Sequence, residues 1–213
     1  MKFYILLIIF FNNFTFTSPI MTREEKKLII DEFMKQPVSK IESKTLDNLN
    51  TVDAQGILFP FILFIFTNHE CPPCRRLIST FNISLKEDKK TGETKEVHKS
   101  ILDILVEELN KNFKNYKNSH DKKSHRKILV FMINYEENIN SLKDIKRRLP
   151  TITSFPSFFL VCRQKKCENC PNNNRSIFSE INSWVGIYNN LFNWKTKLIH
   201  EILKTVESHQ YEK

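Results

Sequence analysis

Cys71 and Cys74, in "HECPPCRRL", stand two residues apart just after the apolar run "ILFPFILFIF". A C-x-x-C pair fits three chemistries: a structural disulfide, half of a metal site, or a reactive dithiol. A second group, Cys162, Cys167 and Cys170, follows in "CRQKKCENC". Zinc needs about four ligands, and two C-x-x-C pairs offer that number. Their settings differ, however: the first pair lies between an apolar strand and a helix, the second in the turn of a late hairpin. "CENC" alone reads as a small clamp, a candidate second disulfide between Cys167 and Cys170, with Cys162 buried in its strand. The five cysteines cannot all pair internally, so at least one thiol stays free or joins a partner. No metal and no cofactor are expected.

The reactive-dithiol reading has a physical basis. Pro72 and Pro73 suit a helix start, because proline is tolerated in the first turn, where an N–H has no intrahelical partner. Unpaired N–H groups at a helix N-terminus favour a thiolate at the first cysteine. The spacing lets the second thiol reach back and release a trapped partner. Cys71 is therefore expected to attack and Cys74 to resolve. His69, Arg75 and Arg76 place positive charge nearby, although a lone His before a loop is more often a surface residue. Competing chemistries find little support. Only three glycines occur, with no G-x-G-x-x-G or G-K-[ST], which excludes a phosphate-cradling loop. The six His are scattered without a Ser/His/Asp pattern, and 18 Phe read as core packing rather than a ligand box.

The elements that must position the pair can be read in order. "TREEKKLIIDEFMKQP" forms a helix, with Thr22 and Glu25 as a capping box and Pro37 beyond its end. "VSKIES" reads as a short strand and "SKTLDNLN" as a helix capped by Ser43. The run 57–66 is continuously apolar, the mark of a strand buried on both faces, with Pro60 at its beginning or at a bulge. "PPCRRLISTF" follows as a helix. Residues 86–126 read as an irregular, Lys- and Asn-rich stretch holding one helix, "EVHKSILDILVEELNKNF". Then come a strand at 127–134, a helix at 141–149, a strand at 155–163 opened by Pro156, and a strand at 175–187. A closing helix spans 191–208, with Leu191, Trp194, Leu198, Ile202 and Leu203 on one face. Strands alternating with helices, then a hairpin and a terminal helix, give an α/β layout with a mixed sheet.

The start, "MKFYILLIIFFNNFTFTSP", pairs one Lys with an apolar stretch too short for a comfortable span, the layout of a signal peptide over residues 1–18. An oxidising compartment follows as an expectation, the endoplasmic reticulum lumen or the secretory pathway. Sequons at Asn82 and Asn174 are compatible with it but common by chance. Net charge is +9. Between Lys111 and Lys127 seven Lys/Arg face one Asp; a solvated insert is preferred there to a nucleic-acid patch, and no nucleic-acid partner is expected.

The buried strand, the C-x-x-C at the next helix start and the later proline-opened strand together resemble the thioredoxin fold. That resemblance implies α/β, thioredoxin-like architecture over residues 38–208, with a helix at 19–37 before it and the basic insertion within it. It implies a cis-proline at Pro156, and substrate binding beside Phe155 and Pro156. It also implies a buried acid six residues before the first cysteine, where this chain has Ile65. Three further stretches resemble the oxidoreductase subunit of oligosaccharyltransferase: "DEFMKQPVSKIESKTLDNL", "FIFTNHECPPCRR" and "VFMINYEENINSLKDIKRRLPTITSFPSFFLV". Members of that family disulfide-bond nascent chains transiently, so that Asn-x-Ser/Thr sites are glycosylated before folding hides them. They continue into four transmembrane helices; here no stretch after the first approaches eighteen apolar residues, so the mature chain is expected to lack an integral span. "CPPC" also resembles tryparedoxin and nucleoredoxin, which carry Trp where Glu70 stands here. The expectation is a thiol–disulfide oxidoreductase acting on unfolded or nascent clients, alone or with the oligosaccharyltransferase complex. The alternatives are a peptide-binding module with little turnover and a secreted protein with an inert disulfide.

Overall fold

A computed structural model describes residues 21–35, 39–40, 43–87, 94–115, 127–135, 152, 154–164, 179–186 and 191–209. Helices are α1 (Arg23–Lys35), α2 (Ser43–Val52), α3 (Pro72–Ile78), α4 (Ile101–Asn115) and α5 (Leu191–Ser208). Strands are β1 (Ser39–Lys40), β2 (Phe61–Thr67), β3 (Thr80–Glu87), β4 (Thr94–Ser100), β5 (Ile128–Asn134), β6 (Ser157–Cys162) and β7 (Ser179–Val185). The signal-peptide stretch, the helix expected at 141–149, Cys167, Cys170 and Asn174 lie outside the described residues.

Five strands form one sheet in the order β1-β5-β2-β6-β7. β2 runs parallel to β5 and antiparallel to β6, and β7 closes the edge antiparallel to β6. Every residue of β2 is buried, because its alternate side chains enter two different cores. Phe61, Leu63 and Ile65 pack with Leu77 and with the apolar faces of α4 and α5. Ile62, Phe64 and Phe66 pack with Phe33 of α1 and Leu49 of α2. Helices thus cover both faces of a mixed sheet, the α/β class expected.

Local chemistry sets the element boundaries. The Thr22–Glu25 capping box forms: the Glu25 N–H donates to Thr22 Oγ1 at 3.2 Å and the Thr22 N–H to Glu25 Oε2 at 2.7 Å. The Thr22 N–H and the Thr22 hydroxyl, both donating to Oε2, hold the exposed Glu25 carboxyl below its ordinary value. Pro60 ends up just before β2, where its missing N–H costs no ladder bond.

Residues 80–115 differ from expectation. The helix expected to run through Phe81 stops at Ile78, where the Ser79 N–H and Oγ both donate to the Arg75 carbonyl, at 2.9 and 2.6 Å. The chain then enters an antiparallel pair, β3 with β4, which forms its own two-stranded sheet. The helix expected from Glu96 starts instead at Ile101. Ser100 and Asp103 cap it reciprocally, Ser100 N–H to Asp103 Oδ2 at 2.9 Å and Asp103 N–H to Ser100 Oγ at 3.1 Å. The stretch read as a solvated insert is also part structural. Phe113 is buried against Phe61. Lys127 is buried too, its Nζ donating to the Phe33 and Met34 carbonyls at 2.9 and 3.3 Å. That ammonium caps the C-terminal end of α1, where carbonyls lack partners.

A latch closes the sheet end at which β2 begins. Asp53 accepts the N–H groups of Ile57, Leu58 and Phe59, at 2.8, 3.3 and 2.9 Å, and an ion pair from Arg163 at 3.1 Å. Gly56 between them has φ +66°, and a Cβ there would sit 2.7 Å from the Arg163 carbonyl oxygen. Only glycine meets both demands.

Candidate active site

The opposite end of the sheet carries the cysteines. β2 ends at Thr67, whose Oγ1 donates to the Ile133 carbonyl of neighbouring β5 at 3.3 Å. A tight turn follows. The Cys71 N–H donates to the Asn68 carbonyl at 3.2 Å, and the Glu70 N–H to Asn68 Oδ1 at 2.8 Å. Asn is suited to this because its side chain can satisfy backbone two residues on.

Cys71 is the N-cap of α3, in extended conformation at φ −79° and ψ 107°. Pro72 and Pro73 occupy the first two helical positions and bring no N–H. The Cys74 N–H points at Cys71 Sγ, 3.2 Å away. The Arg75 N–H closes the first helical bond on the Cys71 carbonyl at 3.1 Å. The two prolines therefore remove competing donors, and the N–H that remains in the first turn is aimed at the sulfur. In the reduced protein this N–H would favour thiolate at Cys71 over thiol.

Cys71 and Cys74 form a disulfide, with Cα atoms 5.2 Å apart, inside the range such a bridge needs. Their surroundings are unequal. Cys74 is 1% exposed, whereas Cys71 is half-buried. An incoming sulfur thus meets Cys71 first.

Three more features lie at this end of the sheet. His69 is exposed and hydrogen-bonds through Nε2 to Asn134 Nδ2, at the end of β5. The Phe155–Pro156 peptide bond is cis. The last β2–β6 pair, Phe66 with Ser157, puts Pro156 level with the start of the cysteine turn. The Pro156 carbonyl accepts the Gly186 N–H at 2.8 Å, and the half-buried Phe155 ring packs on Tyr135 with centroids 5.4 Å apart. Ile65, at the position where the thioredoxin resemblance implies an acid, is fully buried in the core. Cys162 is a free thiol in β6, and burial pushes it up to about 11, which leaves it inert at neutral pH.

Sequence reading missed Asn68, Asn134 and the Asp53–Arg163 latch. Asn68 had a signal, an Asn two residues before an exposed Glu at a strand's end. The other two join residues far apart in sequence, 65 positions for His69 with Asn134 and 110 for Asp53 with Arg163.

Strand order, helices on both faces and a disulfide at the start of the helix after the central strand together define a thioredoxin-like fold. No family model matches the sequence, and no curated protein matches it. Among solved structures, the thioredoxin of Trichomonas vaginalis is similar over 77% of this chain and 94% of its own, at 15% identity and a TM-score of 0.37. The fold is defined by its own strand order and not by that likeness. Among the described residues no helix is long and apolar enough to cross a membrane.

Proposed function

We propose that this protein is a thiol–disulfide oxidoreductase acting on cysteines of client polypeptides, with Cys71 as nucleophile and Cys74 as resolving thiol. The observation that carries the reading is the unequal disulfide at the start of α3, a half-buried Cys71 joined to a buried Cys74. In the reducing direction, Cys71 thiolate attacks a client disulfide sulfur. A Cys71–client bond forms, and the other client sulfur leaves as thiolate and takes a proton. Cys74, having lost its proton, then attacks Cys71 Sγ. The intramolecular disulfide forms and the second client sulfur departs, so that two electrons have moved to the client. In the oxidising direction a client thiolate opens the Cys71–Cys74 bond, and the same steps run backwards.

An extended client fits beside Phe155. The Pro156 carbonyl is already engaged by Gly186 and its nitrogen has no proton, so strand-like pairing falls to Phe155. The signal-like N-terminus supports a place in the endoplasmic reticulum lumen or secretory pathway. The resemblance of "FIFTNHECPPCRR" and its flanks supports kinship with the oxidoreductase subunit of oligosaccharyltransferase. In that setting the clients are nascent chains and the benefit is N-glycosylation before folding.

The test is reduction of insulin disulfides by the protein with a dithiol reductant. Turnover above that of a Cys71→Ser, Cys74→Ser double variant supports the reading, and identical rates refute it. One observation favours a holding role with slow turnover instead: Ile65 stands, fully buried, at the position where the thioredoxin resemblance implies a carboxylate to move the Cys74 proton. Mixed disulfides without insulin turnover would select that alternative.

A further inference from the structure

We infer that Arg75 and Arg76 make the site selective for client segments carrying acidic side chains beside the reactive cysteine; this rests on the oxidoreductase reading. Cys74 and Leu77 fix the buried face of α3. Arg75 and Arg76 fall on the opposite side, and both are exposed. Among the described residues neither guanidinium has an ion-pair or hydrogen-bond partner. Helical geometry sets their direction. Side chains lean toward the helix N-terminus and meet the residue four positions earlier. Arg75 therefore rises toward Cys71, to whose carbonyl its own N–H is bonded at 3.1 Å, and Arg76 rises toward Pro72. Two guanidinium groups, without a partner among the described residues, so stand on the exposed face of the helix that Cys71 caps.

Glu70, exposed on the turn before Cys71, offsets one of these charges. It precedes the helix, whereas the arginines stand on the exposed face of α3. Guanidinium pairs well with carboxylate because its fork of donors matches both oxygens. At a solvent-exposed rim such charges act mainly on approach and partner choice, and salt screens them.

The experiment uses the reduced Cys74→Ser protein, in which Cys71 reacts once with an activated disulfide. The probes are two peptides of equal length, each with its cysteine activated as an aromatic mixed disulfide, flanked by two Asp in one and two Lys in the other. Second-order rate constants are read from release of the chromophore, and the adduct is assigned to Cys71 by mass. The Asp/Lys rate ratio should exceed that of an Arg75→Gln, Arg76→Gln variant by about tenfold at low salt and shrink to under about threefold near 0.5 M. Arg75→Lys, Arg76→Lys should keep most of the preference, and Glu70→Gln should raise it. If the arginines only favoured Cys71 thiolate, both peptides would slow together and the ratio would not move. A ratio that differs by less than twofold between arginine and glutamine forms, or that ignores salt, overturns the inference. Because any thiolate reacts with these probes, that failure is distinct from an absence of insulin turnover, which strikes the oxidoreductase reading alone.

Discussion

Replacing Arg163 with Met tests whether the latch beneath β2 stabilises the fold independently of the dithiol. The guanidinium donates to Asp53 Oδ2 at 3.1 Å, the Phe59 carbonyl at 3.2 Å, Asn50 Oδ1 at 3.2 Å and the Asp53 carbonyl at 2.8 Å. Arg163 and Asp53 side chains are 1% and 4% exposed. Burial pushes the guanidinium below its ordinary value, and the Asp53 charge opposes that. Its Nε has no partner among the described residues, so the intact pair is not a large net gain. Removing one member is another matter, because it strands a buried carboxylate at a cost of about 3–5 kcal/mol. Asp53 keeps three backbone N–H donors, which places the expected loss near the lower end, about 3 kcal/mol. With an urea m-value of about 2 kcal/mol/M, the midpoint drops by roughly 1.5 M. Urea unfolding followed by Trp184 and Trp194 fluorescence measures it. Asp53→Asn with Arg163→Met should lose less than the two single changes added together. Folded Arg163→Met should keep its Cys71 reactivity, since the latch lies at the other end of β2. A midpoint shift under about 0.5 M would refute the claim that the pair is structurally required.

Other expectations follow from single contacts. Cys162, which burial raises to about 11 from an ordinary thiol value near 9, keeps its proton in the folded state where the unfolded thiol ionises. Unfolding then releases a proton, so this contribution is intact below about pH 9 and lost as pH rises to 11. The loss, roughly 3 kcal/mol at most, should appear as a steeper alkaline decline in wild type than in Cys162→Ala, measured by urea titration across that range. Lys127→Met should strip the cap from α1 and speed amide exchange over 23–35, with about 1–3 kcal/mol lost; unchanged exchange would contradict the cap. Gly56→Ala should cost about 2 kcal/mol, from the φ of +66° and the 2.7 Å approach to Arg163, and a melting temperature like wild type would show that the loop can move aside.

Much of the fold was legible because burial writes itself into continuous apolar runs. "ILFPFILFIF", "KILVFMIN" and "FPSFFLV" stand out without partners in view, and the terminal helix carries a clear stripe. The β3–β4 pair was not legible, since "TKEVHKS" lacks a strong alternation and its Lys and Glu also suit a helix. The Ser100 cap decided the matter, three residues ahead of Asp103. Lys127 looked like the last residue of a charged tract, and only its tertiary contact with α1 marks it as buried. At the site, the cysteine spacing and the prolines were readable because their effect is local. The His69–Asn134 contact was not, because it depends on two parallel strands ending at the same level.

The most direct measurement compares Cys74→Ser with Cys71→Ser in cells, by mobility on non-reducing gels and a count of reductant-sensitive adducts. Cys74→Ser should accumulate mixed disulfides with client proteins, because Cys71 attacks and nothing releases the partner. Cys71→Ser should trap few, because Cys74 is 1% exposed. Equal adducts from both variants would contradict the assigned roles, and none from either would make Cys71–Cys74 a structural bridge.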